Sequence, residues 1–299
     1  MKRVAIVVIL VIAAAVLGLW RSHGGVRAGL SRVINPSGDG SPGVTGDETR
    51  KTFDLKAGTT IRVEGINGRV DIQTAADVKT TEVVVKRTGD DPSSLRRRDM
   101  TVEQTSEGLI VRSKQNHVGL WDHLFGKDPK EEVTIKAPRD IALALKGING
   151  HVKTGDITGA LEVRGVNGRV ETGTAGESAE VSGINGSISI GLKQLGEHGA
   201  RFSGINGGVE IRLSVGLNAD LRARGMNGRV VSEVSDVTVE RENAWSNYSS
   251  QIGKGGPLIE ISGVNGNVRL TRGEGAATAP STDSKSEKSE KSSTAKAAN

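Results

Sequence analysis

The segment Val163-Arg164-Gly165-Val166-Asn167-Gly168-Arg169-Val170-Glu171 is one copy of a pattern that recurs along the chain. A Gly-(Ile/Val/Met)-Asn-Gly unit begins at Gly65, Gly147, Gly165, Gly183, Gly204, Gly225 and Gly263. Its asparagines are Asn67, Asn149, Asn167, Asn185, Asn206, Asn227 and Asn265, each followed by a second glycine: Gly68, Gly150, Gly168, Gly186, Gly207, Gly228 and Gly266. The steps between copies are 82, 18, 18, 21, 21 and 38 residues. Four consecutive steps of 18–21 fit one structural turn per copy, and 38 is close to two turns with one degenerate copy between. Self-similarity at a fixed period is the signature of a stacked repeat.

Around each motif the apolar residues alternate with polar ones. Two places before the first glycine stand Val63, Leu145, Val163, Val181, Phe202, Ala223 and Ile261. Five places after it stand Val70, Val152, Val170, Ile188, Val209, Val230 and Val268. A period of two puts one face inward and leaves the other wet. Two backbone paths fit this pattern. In a β-solenoid with 18–21-residue coils, Asn-Gly turns a corner where glycine adopts unusual angles at low cost, and stacked asparagines bond from coil to coil. In the other path, Asn-Gly forms a two-residue type I′ hairpin. The solenoid accounts for the regular spacing, which hairpins alone do not require.

The 82-residue first step differs. Thr81–Arg87, Leu109–Arg112 and Glu132–Lys136 read as strands enclosing two polar loops, and they suit a cap over the open end of the array.

Composition supports thin, stacked β structure. The chain has 299 residues, 41 of them Gly, no Cys, and seven aromatics. Glycine is therefore about 14% of the chain, twice the usual ~7%. With so few aromatics, the core falls to Val, Ile, Leu and Ala. The lack of Cys excludes disulfide frameworks, zinc-thiolate sites and thiol nucleophiles. The 40 basic and 35 acidic residues leave a formal charge of +5, a mixed surface that does not point to nucleic acid.

The ends carry an address. Met1-Lys2-Arg3 precedes an apolar run from Val4 to Trp20, 17 residues long. That length is at the lower limit for a membrane span and long for the apolar part of a signal peptide. Residues 1–20 read as an uncleaved signal-anchor that exports the rest of the chain; a cleaved signal peptide is the alternative. Residues 21–49, rich in Gly, Ser and Pro, read as a flexible linker. Residues 50–272 form the repeat domain, with 50–140 as cap and 141–272 as regular repeats. Residues 273–299 contain no large apolar side chain and read as a disordered tail.

The G-I-N-G and G-V-N-G units, the exported N-terminus and the Ile135-Lys136-Ala137-Pro138 step before the regular repeats resemble the bacterial putative-adhesin family of β-strand-repeat proteins. That family lies close to domains named after their Gly-Ile-Asn motif. The resemblance covers residues 50–272. It implies an all-β, β-helix-like domain in the cell envelope and brings no catalytic residues with it.

Residues with chemistry to offer are few. His117, Asp122 and His123 make a partial metal set without a further ligand, so no metal and no cofactor are expected. Trp121 and Phe125 in the same loop are candidate binding anchors. Arg69, Arg169 and Arg229 share the first place after the motif and form a candidate basic stripe, joined by His151; Arg96-Arg97-Arg98 adds a local cluster. Glu171 and Glu210 fall two coils apart, roughly 10 Å, at or past the spacing of inverting glycosidases and too wide for retaining ones. These residues point to a non-catalytic, adhesin-like envelope protein that binds a glycan or a protein. The alternatives are a regulatory partner of a membrane sensor in envelope-stress signalling and, last, a carbohydrate-active enzyme.

Overall fold

The computed structural model describes residues 27–28, 32–34, 45–116, 127–243 and 246–273. The expected signal-anchor, nearly all of the tail, and the loop with His117, Trp121, Asp122, His123 and Phe125 lie outside these residues. No helix among the described residues is long and apolar enough to cross a membrane.

The described chain is all-β, with one short helix. The first motif joins β4 (Thr59–Glu64) to β5 (Asn67–Ala75), the second lies within β10 (Ile141–Thr154), and the third within β11 (Leu161–Ala175). The fourth links β12 (Ala179–Asn185) to β13 (Ile188–Leu192), and the fifth links β14 (Ala200–Asn206) to β15 (Val209–Leu213). The sixth joins β16 (Ala219–Arg224) to β17 (Val230–Ser232), and the last joins β20 (Leu258–Asn265) to β21 (Val268–Arg272). Each of the first copies pairs in parallel, motif against motif, with the next: Asn67 beside Asn149, Asn149 beside Asn167, Asn167 beside Asn185. The Asn-Gly pairs are therefore not hairpin turns, since their flanking strands pair with other copies rather than with each other.

Three physical features hold this register. The alternating apolar positions point inward: Val163, Val166 and Val170 are at most 1% exposed, as are their counterparts Leu145, Ile148 and Val152. The asparagine side chains form an unbroken ladder. Asn149 Nδ2 donates to Asn67 Oδ1 (3.1 Å), Asn167 to Asn149 (3.1 Å), Asn185 to Asn167 (3.2 Å) and Asn206 to Asn185 (3.2 Å). The third feature is the second glycine. Gly168 has φ +146°, and a Cβ there would stand 1.9 Å from the Gly150 carbonyl oxygen, so only hydrogen fits.

The stacking order is not the sequence order. Beyond the Gly204 repeat, the neighbour is the last repeat, not the sixth: β14 pairs with β20 and β15 with β21. The Gly225 repeat lies outside it, β16 on β20 and β17 on β21. The ladder follows the spatial order, Asn265 donating to Asn206 (3.0 Å) and Asn227 to Asn265 (2.8 Å). No degenerate copy fills the 38-residue step. It holds β18 (Glu240–Asn243) and β19 (Asn247–Ile252), and β19 runs antiparallel along the outer edge of β16. The extra residues are needed because the chain must pass the end of the stack and return one level inside it.

The opposite end is closed by the cap. β8 (Gly108–Gln115) pairs with β4, and β9 (Lys130–Pro138) with β5. β6 (Thr81–Gly89) adds antiparallel to β9, and β3 (Thr45–Phe53) to β6. β7 (Arg98–Gln104) pairs with β8, after helix α1 (Pro92–Leu95). β3 starts inside the stretch read as linker, and β1 (Arg27–Ala28) and β2 (Arg32–Ile34) pair with it. β3 is polar apart from Phe53, which joins the core at 3% exposure, and its remaining residues are held by antiparallel backbone pairing with β6.

Candidate ligand-binding groove

The face that comes after the motif carries the candidate site. Residues after each second glycine stack in rows about 4.8 Å apart. Arg69, His151 and Arg169 are consecutive in one row. The row then continues through Ser187, Gly208 and Asn267, one place before the paired Ile188, Val209 and Val268, and reaches Arg229 beside Val230. Arg229 is thus four levels from Arg169, about 19 Å, and does not belong to the same basic stripe. The out-of-order last repeat inserts Asn267 between them.

Where the row changes from long to small side chains, the surface sinks into a groove of about 360 Å³. Ser187, Ser189 and Gly208 form its floor; Arg169 and Glu171 stand on one side, and Asn267 and Arg269 on the other. Glu210 also lines it. Arg169 Nη1 lies 3.6 Å from Glu171 Oε1, and His151 Nε2 lies 4.0 Å from Glu171 Oε2. The Ser189 hydroxyl donates to Glu210 Oε2 at 2.8 Å, and that of Thr271 reaches Glu210 Oε1 at 3.4 Å. Arg269 pairs with Glu233 at 3.2 Å. Both arginines remain open to solvent, with side chains 64% and 62% exposed. Glu171 and Glu210 do fall two levels apart with Ser189 between them.

The face that precedes the motif is different. There the charges neutralise one another within and across levels: Arg164 with Glu162 of its own strand (2.8 Å), and, between levels, Arg112 with Glu64 (2.7 Å), Lys146 with Glu162 (3.1 Å), Arg164 with Glu180 (2.8 Å) and Arg201 with Glu260 (3.0 Å). Exposed pairs of this kind contribute little stability, but they leave few unpaired groups for a ligand.

The Arg96–Arg98 cluster is not a surface patch. Arg97 is 7% exposed. Arg98 donates from Nε to the Ser113 hydroxyl (2.9 Å) and from Nη2 to the Gly65 carbonyl, and its Nε lies 3.3 Å from Glu131 Oε1. Glu131 has no exposed side-chain surface, and its other oxygen accepts from the Asn67 backbone N–H at 2.9 Å. The buried pair thus satisfies the first motif, which has no preceding copy. Nearby, Asp47 beside Arg87 raises the guanidinium above its ordinary pKa.

Asn267 and Arg269 were legible as motif neighbours, but their place beside Glu210 was not; the only signal was the 38-residue step. Among the described residues no group of three His, Asp or Glu side chains is placed to hold a metal. No family model matches the chain, and no curated protein does. The solved structures to which it is similar include the following bacterial proteins. One is a putative cell adhesion protein from Clostridium sporogenes, at 13% identity over 76% of this chain and 100% of that one, TM-score 0.39. The second is a putative adhesin from Bacteroides fragilis, at 12% over 79% and 99%, TM-score 0.32. The third is a putative adhesin from Parabacteroides distasonis, at 13% over 75% and 96%, TM-score 0.27.

Proposed function

We propose that the chain is a non-catalytic binding protein of the bacterial envelope, anchored through its N-terminal segment, in which a β-solenoid presents a groove rimmed by polar side chains to a wall glycan. The observation that carries this is the groove between Arg169/Glu171 and Asn267/Arg269 with its floor of Ser187, Ser189 and Gly208. Arginine and asparagine donate, glutamate accepts, and serine does both, which matches the hydroxyls of a saccharide. Arg169, Glu171, Ser189, Glu210 and Arg269 stand on paired strands, and Ser187, Gly208 and Asn267 lie in the short bends between strands, where their carbonyls accept from the backbone of the next level, so little ordering entropy opposes binding. Glu171 and Glu210 are occupied by neighbouring side chains and act as acceptors in this reading.

The test is co-sedimentation of the full-length chain, in mild detergent, with purified envelope polysaccharide at low and high salt. Replacing Arg169 or Arg269 by Ala removes a charge-assisted hydrogen bond of about 1.5–3 kcal/mol, a loss of at least about tenfold in affinity. Arg69→Ala, two levels outside the groove, leaves binding unchanged. No pelleting at either salt concentration overturns the glycan reading and moves the search to membrane proteins cross-linked to the chain.

A further inference from the structure

The last repeat fills a slot whose outer wall, β16 and β17, pairs with the rest of the described stack only through it. On one side β14 and β15 rest on β12 and β13. On the other, β16 is held by β19 through five paired residues. β20 and β21 fill the gap, joined to the rest of the described chain only through Gly253-Lys254-Gly255-Gly256-Pro257. Three glycines in that joint have positive φ: Gly253 (+59°), Gly255 (+75°) and Gly256 (+148°). It is held closed by Lys254 N–H to Asn218 Oδ1 (2.8 Å), Gly256 N–H to Asp220 Oδ2 (3.2 Å), Gly255 N–H to the Ile252 carbonyl (3.1 Å) and Asp220 N–H to the Pro257 carbonyl (3.2 Å). Only three large apolar side chains among the described residues are exposed, and two of them flank this joint. Leu258 comes directly after it (38% exposed), and Val215 (82% exposed) lies on the Ser214–Asn218 loop against which it rests.

We propose that the last repeat is an exchangeable element, and that the occupant of the slot in an assembled form is the Leu258–Arg272 segment of a second copy of this chain. Opened, the five-residue joint spans up to about 17 Å. Exchange keeps every coil-to-coil contact, since the entering repeat is identical to the one that leaves; its cost is confined to the joint and to association. Leu258 follows the hinge directly and Val215 lies on the loop that the hinge bonds; both are exposed in the single copy, and in the proposed assembly they are covered where the two opened hinges meet. The consequence reaches the groove. Asn267 and Arg269 belong to the exchanged repeat, so each groove in the assembly is walled by Arg169 and Glu171 of one copy and Asn267 and Arg269 of the other. The exchange does not depend on what fills the groove.

The chain has no cysteine, so introduced thiols report without background. Ser203 and Ser262 are paired across the slot, whereas Ser182 and Ser203 are paired across two repeats that do not exchange. Full-length Ser203→Cys and Ser262→Cys chains are co-expressed and oxidised, alongside a Ser182→Cys and Ser203→Cys control. We expect at least tenfold more interchain disulfide in the first mixture. Deleting Gly255 and Gly256 raises the exchanged fraction, because a shortened hinge strains the closed form; Val215→Ser with Leu258→Ser lowers it. The Ser203→Cys/Ser262→Cys double variant, forming its bridge within one chain, shows that the site can be bridged. The proposal is overturned if that bridge forms while the mixture gives no more interchain product than the control, even with the shortened hinge.

Discussion

The two glycines of one motif respond very differently to the same methyl group. Gly165 has φ +64°, and a Cβ there meets its nearest atom, the Gly147 nitrogen, at 3.8 Å, an ordinary contact. Gly165→Ala therefore bears only the left-handed backbone cost of about 1–2 kcal/mol. That cost is offset in part by about 0.4–1 kcal/mol of entropy removed from the unfolded chain. The expected net loss is about 1 kcal/mol. Gly168 has φ +146°, and its Cβ would sit 1.9 Å from the Gly150 oxygen and 2.8 Å from the Gly150 carbon, so the two repeats must part by more than an ångström. Backbone strain there adds about 1–3 kcal/mol. Parting the levels breaks the Asn167–Asn149 bond and neighbouring backbone bonds, each about 1 kcal/mol net. Gly168→Ala should thus cost about 4 kcal/mol or more. Denaturant unfolding followed by circular dichroism compares the two variants, with the midpoint moving at constant slope. Equal losses for the two substitutions, or a Gly168→Ala loss under about 1 kcal/mol, would mean that the close approach does not hold the repeats in register.

Asn185→Ala removes two ladder bonds, to Asn167 and from Asn206, at an exposed position, and should cost about 1–2 kcal/mol in the same unfolding assay. Glu131→Ala leaves Arg98 buried without its main counter-charge and the Asn67 N–H without an acceptor. A loss of about 3–5 kcal/mol is expected, with Glu131→Gln intermediate. Asp91 caps α1 by accepting from Ser93 Oγ (2.6 Å) and from the N–H groups of Ser94 (2.9 Å) and Ser93 (2.7 Å), which lowers its pKa. A lowered folded-state pKa means that the cap contributes above the unfolded value of about 3.9 and is lost as pH falls through the folded one. Amide exchange at Ser93 and Ser94 should therefore rise below about pH 4, and Asp91→Ala should abolish that dependence.

Much of the candidate site comes from register alone. Once copies stack motif on motif, Arg69, His151 and Arg169 align, and Glu171 and Glu210 come two levels apart. The Arg96–Arg98 run was misleading because three adjacent arginines look solvated in sequence. A buried carboxylate 33 residues away, Glu131, draws Arg98 inward. Pairing over such a separation has no local signature.

The inward face and the pairing register were legible in the residues alone. Alternation has a period of two, and the second motif glycine admits no other residue at the observed approach, so these constraints act within a few residues of one another. Which repeat neighbours which emerges with the fold. Every copy offers the same backbone edge and the same asparagine amide, so the Gly204 repeat accepts the sixth or the seventh copy equally well by local criteria. The choice rests on β19 covering the outer edge of β16 and on a connection long enough to return inside it. That choice places Asn267 and Arg269 opposite Arg169 and Glu171, and so completes the groove.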